Sequence, residues 1–154
     1  MSLKQWADNG WLKPHKTSRR EIGSLLAIAR RDLADARADT ISGDWRFGIA
    51  YNAALKLCTV LLRAEGYRPM QNLAHYRTLQ ALPLILGMNR KADADYLDTC
   101  RAKRNTVEYD SVGGATAADA DELIEFAESL EQDVLKWLRA HHPDFASSGD
   151  PVKP

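Results

Sequence analysis

Five stretches of this 154-residue chain repeat their apolar residues at three- and four-residue spacing, and each closes on a glycine, a proline or a short polar connector. Apolar residues at that spacing fall on one side of an α-helix, whereas a half-buried strand needs alternation in twos. No segment sustains such alternation of β-branched residues. The chain is therefore expected to be all-α, an antiparallel bundle of about five helices joined by short loops. A chain of this length buries roughly 69% of its surface on folding, so its core needs neither a disulfide nor a metal.

Residues 1–17 contain Trp6, Gly10, Trp11 and Pro14 and read as an arm or a short irregular helix. Its two indoles are expected to tuck against the bundle or a second subunit. The bundle domain is expected over 18–141. Ser18 and Glu21 have capping-box spacing and open a first helix to about residue 38, striped with Ile22, Leu25, Leu26, Ala29, Leu33 and Ala36. Asp44 reads as the cap of a second helix that ends near residue 65, before Gly66. A wide apolar face and the small residues Ala50, Ala53 and Ala54 make this the most buried helix, with Cys58 as a core side chain. A third helix covers about 73–86, with Pro83 inside or ending it. A fourth covers about 92–109, and a last runs over about 116–140 from a capping pattern at Thr116 and Asp119. Residues 142–154 are expected to form a frayed tail.

Lys+Arg and Asp+Glu each number 21, which excludes a uniformly basic nucleic-acid binder. The charge is unevenly spread, with a net +5 over 1–31, +2 over 32–109 and −8 over 110–150. Either the basic front and acidic back attract each other or a neighbouring subunit, or they are solvated helix faces. Cys58 and Cys100 cannot build a four-thiolate site. The chain has no HExxH, CxxC, Gly-rich phosphate loop or Ser/His/Asp arrangement, so no metal and no cofactor is expected. The N-terminus lacks a continuous apolar segment, and the apolar runs fall short of the roughly 20 residues of a membrane span. A cytoplasmic protein with reduced thiols and no membrane partner is expected.

Chemistry concentrates on the fourth helix. On a wheel with Arg101 at zero, Arg104 falls at about −60°, Glu108 at about −20°, Asn105 at about +40° and Tyr109 at about +80°. Guanidinium, amide, carboxylate and phenol thus share one sector, while Tyr96, Cys100 and Val107 group on another face. Asp98–Arg101 and Arg104–Glu108 are also ordinary helix pairs worth a few tenths of a kcal/mol, on the order of 0.3. Two arginines one turn apart equally make a phosphate clamp, because each fork holds two oxygens.

Read in order, several motifs resemble a known family. They are Tyr51-Asn52-Ala53-Ala54-Leu55 on the second helix, Gly66-Tyr67-Arg68 at the break, His75 on the third helix, and Tyr96-Leu97-Asp98, Arg101-Ala102-Lys103-Arg104-Asn105 and Glu108-Tyr109-Asp110 on the fourth. Over roughly residues 20–140 the chain resembles the HEPN domains (higher eukaryotes and prokaryotes nucleotide-binding), small helical bundles that are usually dimeric. In the catalytic members an Arg, a polar residue and a His four to six residues beyond meet across the dimer and cleave RNA without a metal. By that resemblance Arg104 is the family Arg and Asn105 the polar residue, whereas the His position falls on Tyr109. A phenol with a pKa near 10 is a poor base at neutral pH, so losing imidazole removes an acid–base contribution of about 10²–10⁴-fold.

The resemblance therefore implies a homodimeric HEPN-like protein that binds RNA or a nucleotide without efficient cleavage. Arg101 and Arg104 would contact phosphate, Asn105 would hydrogen-bond, Tyr109 would donate or stack, and Glu108 would orient an arginine. Some family members are toxins paired with a small nucleotidyltransferase, which makes such a protein a possible partner. Two alternatives stay open. One is a metal-independent ribonuclease with a substituted proton donor, its candidate catalytic residues being Arg104, Tyr109 and His75. The other is a structural interaction module whose polar stripe forms the dimer interface. His141-His142 at a helix end suits the helix dipole, and Gly113-Gly114 is a flexible turn.

Overall fold

The computed structural model describes residues 1–109 and 114–146, with the backbone alone for 106–109. In chain order the elements are α1 (Leu3–Asp8), β1 (Leu12–Pro14), α2 (Arg19–Ala36), α3 (Gly43–Ala64), β2 (Tyr67–Pro69), α4 (Ala74–Gln80), α5 (Leu82–Leu86), a 3₁₀ turn Met88–Arg90, α6 (Lys91–Tyr109), α7 (Ala117–His141) and α8 (Pro143–Ala146). The described residues are mostly helical, as the apolar spacing requires.

The bundle is built around α3, which packs against α2 on one side, α7 on another, and α4, α5 and α6 on a third. The sequence accounts for this position. Phe47, Ala50, Tyr51, Ala53, Ala54, Leu57, Cys58, Val60 and Leu61 are all buried, so the apolar surface of α3 extends over more than half of its circumference. Alanines on that surface let neighbouring backbones come close. By length and composition α3 could also span a membrane, but most of it is buried inside the bundle. Both thiols lie in the core, where burial pushes Cys58 up to about 12 and Cys100 up to about 11.

The caps refine the boundaries. Ser42, not Asp44, caps α3 by accepting from the Trp45 amide. Asp44 lies one residue inside the helix, and its Oδ1 accepts from Ala115 N at 3.0 Å, tying α3 to the start of α7. Ser18 accepts from Glu21 N, but the Glu21 carboxylate does not complete a capping box. It binds Thr17 Oγ1 at 2.6 Å, His15 Nε2 at 2.8 Å and Arg63 Nη1 at 2.7 Å. At Thr116 and Asp119 the reciprocal box is complete.

Three expectations are corrected. The arm is a regular unit: α1 leads into β1, which pairs antiparallel with β2 in the register Leu12↔Pro69, Lys13↔Arg68 and Pro14↔Tyr67. Strands of three residues have no room for a periodic pattern, so Tyr67-Arg68-Pro69 reads in sequence only as a break. The third helix is two helices, because Pro83 sits in the first turn of α5 instead of inside or at the end of a longer one. Residues 143–146 form α8 against α2 and α7, with His142 Nε2 2.9 Å from Glu65 and stacked on Phe145 at 5.6 Å. The expected loop at 110–113 and the expected frayed tail over 147–154 lie outside the described residues.

The uneven charge is resolved within the chain. The acidic side of α7 receives cations from four neighbours: Arg30–Glu131 from α2 and Arg37–Glu128 from its C-cap, Arg46–Asp121 from α3, Arg90–Asp133 from the 3₁₀ turn and Lys103–Asp119 from α6. Of these five cations Arg30 alone belongs to the basic front, so the acidic back is met mainly from the middle of the chain, while the two indoles pack as expected. Trp6 is buried beside Leu12, Leu62 and Ala81, and Trp11 meets it edge-on at 5.9 Å. The Arg77 guanidinium of α4 lies 3.8 Å above the Trp11 ring, so the arm holds α4 in place.

Two outcomes follow from this packing. A Cβ at Gly43 would stand 3.0 Å from the Ala117 nitrogen and the Thr116 carbonyl carbon, both backbone atoms that cannot yield cheaply. Gly43→Ala should lower stability by about 1–3 kcal/mol in a denaturant melt, and an unchanged midpoint would refute the tight approach. For Glu21, burial opposes ionisation, but the bonds from Thr17 and His15 and the Arg63 charge outweigh it and hold the carboxyl below its ordinary 4.5. A depressed native pKa means that this stabilisation is complete above 4.5 and disappears as pH falls through the lower native value. Glu21→Gln should therefore reduce the acid sensitivity of folding below that pH, measured as melting temperature against pH.

Candidate functional site

The polar residues of α6 divide between two sides of the helix. Lys103 turns to α7 and pairs with Asp119 at 2.9 Å. Arg101 and Arg104, roughly 160° and 100° away from it on the wheel, act on α3 and α4. Asp98 holds Arg101 through a bond from Nε to Oδ1 of 2.8 Å, as the i,i+3 spacing requires, and so fixes the direction of its fork. The Arg104 guanidinium carbon lies 5.5 Å from the centre of the Tyr51 ring, within cation–π range.

α4 brings a third kind of group to the same place. His75, exposed at the rim, has its ring 6.5 Å from that of Tyr51. Burial lowers its pKa below the usual imidazole value, and the charges of Arg104, Lys56 and Arg101 lower it further. The shift favours the uncharged imidazole, in which one ring nitrogen accepts and the other donates.

Tyr51 forms the floor. Its side chain is wholly buried, and its hydroxyl has no hydrogen-bond partner among the described residues. Burial pushes its pKa well above the ordinary phenol value, with Arg101 and Arg104 pulling the other way. The phenol therefore keeps its proton at neutral pH.

The structure thus brings Arg101, Arg104 and His75 together. Asn105 is exposed. The side chains of Glu108 and Tyr109 lie outside the described residues, as do Val107 and Asp110. Tyr96, on another side of α6, packs on Phe126 at 4.9 Å and reaches Glu122 at 3.3 Å. Residue-type reasoning missed Tyr51 and Lys56 as site groups. The available signal was one phenol on an otherwise aliphatic and alanine-rich helix face, where a buried hydroxyl demands a partner. Among the described residues, no group of three or more His, Cys, Asp or Glu side chains is placed to hold a metal.

In chemical terms this is a small cationic surface over a phenol donor, with one neutral imidazole at its edge. It can hold an anion bearing several oxygens and pass a proton at His75. Comparison with protein-family models, with curated proteins and with solved structures finds no match to this chain.

Removing one of the cations should release the imidazole. Arg104→Ala is expected to raise the His75 pKa toward the ordinary value, followed by NMR titration of its Hε1 signal. A pKa that stays put would show that Arg104 does not face His75 in solution.

Proposed function

We propose that this chain is a HEPN-like, RNA- or nucleotide-associated binding protein whose anion site lies between α3, α4 and α6. The supporting observation is the convergence of Arg101 and Arg104 with His75 over the buried Tyr51. Guanidinium forks match phosphate oxygens two at a time. With the charge of the whole chain balanced at 21 against 21, binding depends on this local cluster and not on a general basic surface. On this reading the protein works as a homodimer in the cytoplasm, and a nucleotidyltransferase-type protein is its candidate partner.

A second reading is favoured by the position of His75. An imidazole held neutral beside two arginines is equipped as a general base, so it can stand in for the motif histidine that Tyr109 replaces. On that reading the protein is a metal-independent ribonuclease with Arg104 as the phosphate-holding residue.

The test is a salt titration of single-stranded RNA binding, run in EDTA with a parallel gel for cleavage. Wild type should bind in a salt-sensitive manner. The Arg101→Ala/Arg104→Ala variant should lose affinity and reduce the slope of log K against log salt by about 1.4, near 0.7 for each phosphate contact. Intact RNA throughout supports the binding reading. Cleavage in EDTA that vanishes in both Arg104→Ala and His75→Ala supports the ribonuclease. A dimer that dissociates in the arginine variants, with neither RNA nor nucleotide bound by wild type, would reassign the stripe to subunit contact.

A further inference from the structure

Resting on the reading that the chain binds RNA, we propose a second contact for the strand on the outer face of the β1–β2 ladder, with Lys13 and Arg68 on its phosphates. The basic front of the chain leads there. Of its cations Arg30 alone reaches the acids of α7, while Lys4 pairs with Asp8, Arg31 pairs with Asp32 and Arg19 bonds the Asp144 carbonyl. Lys13 makes no ion pair with a described residue, and neither does Arg68, which the fold brings beside it from the middle of the chain.

The ladder sets the geometry. Lys13 and Arg68 are partners in its register. Trp11 O accepts from Met70 N at 2.9 Å, and His15 N donates to Gly66 O at 2.8 Å. Bonded pairs recur every two residues, so Lys13–Arg68 is the bonded pair between those two, with Cα atoms about 5.5 Å apart and side chains on one face. Leu12 is buried, and side chains alternate along a strand, so Lys13 and Arg68 leave from the outer face. Lys13 is half-buried and Arg68 is exposed. Like charges directly opposite each other destabilise a ladder. Among the described residues no carboxylate relieves this pair, and an arriving phosphate would.

The surroundings select the occupant. Pro14 and Pro69 lack the N–H that a further strand would need at either edge, so the ladder is closed to an added peptide strand. Trp11, two residues from Lys13, is half-buried and carries the Arg77 guanidinium at 3.8 Å, and Arg77 makes no ion pair with a described residue either. Single-stranded RNA meets both features, because its phosphates need cations and its bases stack on aromatic rings or guanidinium planes. A lipid surface instead engages clusters of about four to eight Lys or Arg.

The experiment measures binding of single-stranded oligoribonucleotides to the full chain by fluorescence anisotropy across a salt series. It compares wild type, Lys13→Ala/Arg68→Ala, Lys13→Glu and Arg101→Ala/Arg104→Ala, with phosphatidylserine vesicles as a further arm. Lys13→Ala/Arg68→Ala should weaken binding about equally for strands of different sequence and reduce the slope of log K against log salt by about 1.4, near 0.7 for each phosphate contact. Lys13→Glu should weaken RNA binding too, yet melt above wild type at low salt, because opposed like charges become an attracting pair. An unchanged slope in Lys13→Ala/Arg68→Ala, with binding still lost in Arg101→Ala/Arg104→Ala, would overturn the inference and leave the α6 site standing. Dependence on Lys13 and Arg68 but not on Arg101 and Arg104 would support the inference while overturning that site. A Lys13→Glu chain melting below wild type would show that the two cations do not oppose each other in solution and would also overturn it. Vesicle binding that needs Lys13 and Arg68, without RNA binding by wild type, would assign the face to lipid. Failure of wild type to bind either would remove both readings.

Discussion

The structure depends on the burial of α3. Its apolar surface spans most of the helix circumference, so a single partner cannot cover it. α2 and α7 take two sides, and the remaining side needs a third layer, which α4, α5 and α6 provide. Apolar burial is favourable by about 25 cal/mol per Å², and α3 carries more buried side chains than any other described helix. The third layer closes over the one phenol in that surface. Had Tyr51 been another leucine, α4 and α6 would seal an ordinary core. With a hydroxyl there, the same packing leaves a polar atom beneath a cationic rim.

Electrostatics divides the molecule into two regions. The acids of α7 draw arginines and lysines from α2, α3, α6 and the 3₁₀ turn, and these pairs neutralise the bundle's acidic side. Most are partly exposed, and each contributes well under about 1 kcal/mol. Their larger effect is on direction. Lys103 is taken up by Asp119, whereas Arg101 and Arg104 lie on the part of α6 that α7 does not reach. The positive charge near α4 is thus a consequence of helical phase, and Asp98 pairs with Arg101 within it.

The arm has a similar indirect role. Trp6 and Trp11 hold Arg77, and the β1–β2 pairing fixes the chain just before α4 begins. His75 precedes Arg77 by two residues, so the position of the imidazole rests partly on contacts made by the first fourteen residues. Glu21 reinforces this attachment by joining Thr17 and His15 to Arg63 of α3.

Long elements were legible in the sequence because their stabilisation is periodic. The stripes of α2, α3 and α7, the Gly66 stop, the Thr116–Asp119 cap and the burial of Cys58 all follow from spacing and residue type. The shared face of Arg101 and Arg104 was legible for the same reason, since helical geometry alone sets their angle. What tertiary structure decided were features with no period: two strands of three residues, the Pro83 helix start, the docking of α8, and the meeting of Tyr51 and His75 with α6. Those depend on which helix covers which side of α3, a choice made by the summed packing of all layers. No local pattern in one segment records the partner that another segment brings to it.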